Sequence, residues 1–144
     1  MKKLRNEDVW NRLLKFVSFR PRSEKEVSEW LQKKKVGKAI KYIKRLKGVE
    51  LLDDKKFAEW FVESRMRSRP RSKRFMIYEL RIKGIAKEIS DEVMEESGLD
   101  EVEMAKRLVE KNSFRWVGLE EKKRKEKIRL FLERQGFVYD IISF

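Results

Sequence analysis

The sequence predicts an all-α protein made of three tandem three-helix repeats that form an elongated curved array. Three observations carry this expectation. An apolar quartet recurs with the same internal spacing: Val27, Leu31, Val36, Ile40, then Met76, Leu80, Ile85, Ile89, then Ile128, Leu132, Phe137, Ile141. The tetrapeptide Arg20-Pro21-Arg22-Ser23 returns as Arg69-Pro70-Arg71-Ser72. No segment alternates apolar and polar residues over a useful length, which leaves no strand signal. A period of about 50 residues is that of one supersecondary unit, and such units bury part of their apolar face against a neighbour.

Each quartet reads as helix, turn, helix. The i, i+4 steps fit a helical face, and the five-residue step crosses a turn at Lys35, Gly84 or Gly136. Before each quartet stands a first helix. Leu52-Asp53-Asp54-Lys55-Lys56-Phe57-Ala58-Glu59-Trp60-Phe61-Val62-Glu63 matches Leu99 to Glu110 at five of twelve positions. Asp53 and Asp100 are placed to cap those helices, with Asn6 standing for them in a degenerate first copy. Pro21 and Pro70 end the first helices, because the residue before proline is pushed out of the α region. Ser23 and Ser72 then cap the second helices, and Ser23 with Glu26 has the spacing of a capping box. The expected helices cover 6–19, 23–35 and 37–47, then 53–68, 72–83 and 86–97, then 100–114, 119–135 and 138–143. The expected units are 1–51, 52–99 and 100–144.

The chemistry open to this chain is narrow. It has no cysteine and no histidine, which removes disulfides, Cys/His zinc sites, thiol nucleophiles and imidazole acid–base catalysis. No catalytic residue, cofactor or metal site is expected. Asp53 and Asp54 with Glu59 and Glu63 could be read as a magnesium-binding nuclease constellation. Capping is the better reading, since the acidic pair recurs as Asp100 and Glu101. No apolar run approaches the ~18 residues of a membrane span, and the cytoplasm is the expected location.

The formal charge is +13, and its placement is uneven. Residues 1–51 hold 16 Lys/Arg against 6 Asp/Glu, a net of +10. Arg65 to Lys83 holds eight basic residues and one acid, whereas Ala86 to Glu103 holds one base and eight acids. Such polarity favours a polyanion on one surface and leaves an acidic surface elsewhere. The candidate binding residues are Arg20 and Arg22 in one helix connection, Arg65, Arg67, Arg69, Arg71, Lys73 and Arg74 around its equivalent, and Arg81 and Lys83 beyond. Guanidinium groups grip phosphate or carboxylate bidentately, so two equivalent loops can present a spaced double contact. Lys33-Lys34-Lys35 and Lys122-Lys123-Arg124-Lys125 are less specific and suit solvated helix ends. The tryptophans Trp10, Trp30, Trp60 and Trp116 fit helix faces and are expected mainly in the core.

The ordered pattern resembles the RecX family of modulators of the bacterial recombinase RecA. The carrying residues are Arg-Pro-Arg-Ser-Glu-Lys-Glu at 20–26, Leu51 to Ala58, Ser64-Arg65, Glu79 to Ile85, and Leu132 to Phe137. The departures are Ser72, where a glycine often opens the second helix, and Lys34-Lys35, where Lys-Gly might precede the third. The resemblance implies an elongated arc of three-helix units that binds in the groove of a RecA nucleoprotein filament on DNA and limits recombinase and coprotease activity. It also implies a non-enzymatic role in homologous recombination, repair and the SOS response. The expected partners are that filament and, weakly, single- or double-stranded DNA, with the chain acting as a monomer. A generic DNA-binding module using the same loops is the alternative.

Overall fold

The computed structural model describes residues 5–138. Eight α-helices and a short 3₁₀ helix follow one another, with no strand among the described residues. They are α1 (Asn6–Phe19), α2 (Glu24–Lys33), α3 (Ala39–Gly48), α4 (Asp54–Ser68), α5 (Lys73–Ile82), α6 (Lys87–Ser97), α7 (Glu101–Lys111), the 3₁₀ turn Ser113–Trp116, and α8 (Glu121–Arg134). The helix expected over 138–143, with Ile141, lies outside the described residues apart from residue 138.

The caps form as the sequence chemistry requires. Ser23 Oγ accepts from the Glu26 amide at 3.1 Å, and Glu26 Oε1 accepts from the Ser23 amide at 3.1 Å, a complete capping box. Ser72 Oγ accepts from the Phe75 amide at 3.3 Å. Asp53 takes the amides of Lys55 and Lys56, and Asp100 those of Val102 and Glu103. Asn6 departs from this pattern. It is the first residue of α1, uncapped behind Arg5, and its Oδ1 accepts from the Tyr42 hydroxyl at 2.9 Å, so a tertiary contact takes the place of the cap.

The five-residue step of each quartet is one motif used three times. The amides of Val36, Ile85 and Phe137 each donate at 3.0 Å to the carbonyl five residues back, on Leu31, Leu80 and Leu132. This is the Schellman closure, and the residue before each donor is left-handed: Lys35 at φ 55°, Gly84 at 82°, Gly136 at 93°. One quartet member fails. Ile40 is 68% exposed, because α3 starts four residues after its turn residue whereas α6 starts three after Gly84. The extra residue rotates α3, which buries Tyr42, Ile43 and Leu46 instead. The helix expected through 114 also stops early: Asn112 Nδ2 turns back onto the Leu108 carbonyl at 2.8 Å, and a 3₁₀ turn brings Trp116 into the core.

Among the described residues the buried side chains form two cores. Val9, Leu13, Val17, Val27, Leu31, Tyr42, Ile43, Leu46 and Leu52 make the first. Phe57, Phe61, Met76, Leu80, Met104, Leu108, Trp116, Ile128, Leu132 and Phe137 belong to a second that runs continuously from α4 to α8. The seam between α4–α6 and α7–α8 is therefore apolar. The seam between α1–α3 and α4–α6 is polar.

Candidate interaction surface

Both seams repeat one piece of chemistry. The first residue of each second helix donates its amide to the acidic residue that follows the next unit's capping Asp: Glu24 to Asp54 Oδ1 at 2.8 Å, Lys73 to Glu101 Oε1 at 3.1 Å. The next residue along reaches a carbonyl at the end of the following second helix. Lys25 Nζ donates to Ile82 O at 3.0 Å, and Arg74 Nε to Gly136 O at 2.6 Å. At the second seam the Ser72 amide also donates to Gln135 O at 3.0 Å. The start of α2 thus sits on the end of α5, and the start of α5 on the end of α8. Burial pushes the Asp54 carboxyl above its usual value, and the Glu24 charge adds to this against the opposing Glu24 amide and Lys47.

The Arg-Pro-Arg-Ser loops lie at these seams, and most of their cations are engaged internally. Arg20 clamps Glu26 through both terminal nitrogens, at 3.2 and 2.5 Å, and lies 5.5 Å from the centroid of the Trp60 ring. Lys83, from the next unit, reaches the same carboxylate at 3.6 Å. Burial alone would push the Glu26 carboxyl up; the hydrogen bonds from Arg20 and Ser23, with the charges of Arg20 and Lys83, outweigh it and hold Glu26 below its usual value. Arg22 donates to the Phe16 carbonyl at 2.9 Å and lies 3.9 Å from the Phe16 ring centroid. Burial, then repulsion from Arg20, lowers its pKa from the ordinary arginine value. In the equivalent loop, Arg65 donates through Nε and Nη2 to Glu79 Oε2 at 2.9 and 2.6 Å, and Arg71 stands 3.7 Å from Oε1.

Of the ten candidates, Arg20, Arg22, Arg65, Arg71, Arg74 and Lys83 therefore hold the fold together. The side chains of Arg67, Arg69, Lys73 and Arg81 have no partner among the described residues, and the three arginines are exposed. Arg67 lies in the last turn of α4 and Arg69 at its C-cap, before the connection to α5, and Arg81 lies near the end of that ten-residue helix, which is about 15 Å long. Tyr78, 63% exposed, stands on α5 three residues before Arg81. Sequence reasoning did not single out Tyr78, although its i+4 position from Arg74 was available.

The acidic residues do not assemble a metal site. Asp53 caps α4, Asp54 spans the seam, and Glu59 and Glu63 line a groove of about 430 Å³ with Val62, Met66, Glu96 and Leu99, which neither aspartate touches. Among the described residues no group of carboxylates is arranged to hold a metal ion, and no helix is long and apolar enough to cross a membrane. Lys55 bridges Glu92 and Glu96 at 2.9 and 3.3 Å, tying α4 to α6.

Repeated helical units with structural caps define a helical-repeat protein. The sequence profile described as the second three-helix domain of RecX matches residues 53–94. The chain is 30% identical over 132 residues to the regulatory protein RecX of Chlorobium limicola, covering 90% of this chain and 82% of that one. It is 34% identical to the RecX of Bacillus licheniformis over 93% of its own length, yet spans only 52% of that relative. The crystal structure of RecX from Lactobacillus salivarius superposes with a TM-score of 0.79 at 28% identity, covering 92% of this chain and 88% of that one. The chain belongs to the RecX family.

Proposed function

We propose that this chain binds a RecA-type recombinase filament on DNA and limits recombinase and coprotease activity by occupancy, with no chemistry of its own. It would do so as a cytoplasmic monomer in recombinational repair and the SOS response. The observation that carries the reading is a set of exposed, unpartnered cations on either side of one helix connection: Arg67 in the last turn of α4, Arg69 just after it, and Arg81 on α5 three residues from the exposed Tyr78. A groove lined by acidic side chains and phosphate is what three free guanidinium groups and one aromatic ring would grip. The name carried by the relatives, regulatory protein, supports a non-enzymatic role.

Recombinase ATPase and strand exchange, measured with this protein titrated in, test it. Arg67→Glu with Arg69→Glu should abolish inhibition while the circular dichroism stays that of the parent. Glu95→Gln with Glu96→Gln changes charge on the acidic segment and should leave inhibition nearly intact. Normal inhibition by the arginine variant, or shifts in both variants that simply follow net charge, weaker for the arginine pair and stronger for the glutamate pair, would refute this surface.

A further inference from the structure

We propose that the first unit carries a separate binding surface for the phosphate backbone of duplex DNA, formed by α3 and the turn before it. Between Lys33 and Lys47 the chain has eight cations, Lys33, Lys34, Lys35, Lys38, Lys41, Lys44, Arg45 and Lys47, and no acid. All eight are exposed. With Tyr42, Ile43 and Leu46 turned into the core, the helical period puts Lys41, Lys44 and Arg45 on the outward face. Lys47 is committed to Glu24 at 2.9 Å, whereas Lys33, Lys38, Lys41 and Lys44 have no partner among the described residues.

The repeat register shows why this corner is open. A Cβ on Gly84 would meet Lys25, and one on Gly136 would meet Ser72 and Phe75, because the preceding unit's second helix starts there. Lys35 holds the same position in the first unit, with φ 55° and an exposed side chain; Lys38, at φ 57°, follows it into the left-handed region. A covered turn excludes side chains, and this uncovered one carries lysines at a conformational cost glycine would avoid. No side chain caps α3 and no acid stands in its first turn, so its positive end adds to the same field.

The ligand follows from what is already occupied. Arg45 lies 3.8 Å from the Trp10 ring centroid and Lys34 5.8 Å from that of Trp30. Neither half-buried ring offers a clear platform for base stacking, which leaves contact to phosphates without reading of bases. A duplex presents one charge per ~1.7 Å of axis, about twice the density of one strand, and matches a convex cationic helix ~15 Å long better.

The test is fluorescence anisotropy of a labelled duplex with the full chain over a salt series, recombinase absent, so its result is independent of the filament reading. Lys38→Gln, Lys41→Gln and Lys44→Gln together should lower the salt slope by about 2 to 3, at ~0.9 per phosphate contact, and weaken binding on the order of a hundredfold near ~0.1 M salt. The matching Lys→Arg triple should retain affinity. Lys122→Gln, Lys123→Gln and Lys127→Gln remove the same charge from α8 and should change affinity by no more than about threefold. Equal losses in both Gln triples, or an α3 triple that binds as the parent does, overturns the proposal. So does an α3 triple that loses binding to phosphatidylserine vesicles but keeps binding to the duplex.

Discussion

Gly136→Ala probes the second seam directly. Gly136 sits at φ 93°, and an added Cβ would overlap the Ser72 hydroxyl and come within 2.6 Å of the Phe75 ring. Three costs follow. Leaving glycine in the left-handed region costs about 1–2 kcal/mol, partly offset by a less flexible unfolded chain. Displacing the Ser72 hydroxyl from the Phe75 amide removes a helix cap, about 0.5–2 kcal/mol. Forcing a methyl against a packed ring adds about 1–3 kcal/mol. The sum is about 2–6 kcal/mol. Gly98→Ala is the control, since Gly98 has φ 65° with nothing within 4 Å of its Cβ position, and it should lose only about 1–2 kcal/mol. Urea unfolding followed by far-UV circular dichroism measures both. Equal losses in the two variants would mean that the start of α5 does not rest on the turn after α8.

Other outcomes follow from the two cores and from the first seam. Leu13→Ala, in a fully buried position of the first core, should cost about 2–5 kcal/mol, with the lost hydrogen-exchange protection concentrated in α1–α3 and α4–α8 little changed. Equal loss of protection throughout would show one cooperative core. Glu26 is held below its usual 4.5, so its contribution to stability is present above that value and is lost as pH falls through the folded one. Glu26→Gln should therefore destabilise at neutral pH and converge on the parent in acid. Asp54, raised above its usual 3.8, has the opposite sign: the folded state favours its proton, so stability falls as pH rises through that window, and Asp54→Asn should remove the fall. Thermal melts across acid pH check both signs.

Much of the fold was legible because the repeat signals are local. The five-residue step in each quartet is the Schellman closure itself, and Ser23, Ser72, Asp53 and Asp100 cap where their side-chain chemistry places them. Ile40 was misplaced because one added residue after Lys35 turns α3 by about 100°, which spacing alone does not reveal. Asp54 and Glu101 looked like parts of a cap, yet each accepts an amide from the preceding unit; their recurrence one residue after the capping Asp was the signal. The cationic surface was the least legible part. A sequence counts guanidinium groups but does not show their partners, and Glu26 and Glu79 between them engage Arg20, Lys83, Arg65 and Arg71.

The unequal seams give the molecule an uneven stiffness. Prying α4–α6 from α7–α8 would wet apolar surface, at about 25 cal/mol for each Å² exposed, and that resistance rises with every degree of opening. Between α1–α3 and α4–α6 the contacts include an amide on Asp54, an ammonium on the Ile82 carbonyl, another on Glu26, and the Arg20 guanidinium over the Trp60 ring. Water can replace each of these at a net cost of about 1 kcal/mol, or somewhat more where charge is involved. Bending is therefore concentrated in one joint, and the first unit can tilt to follow a curved surface while α4–α8 keeps its shape.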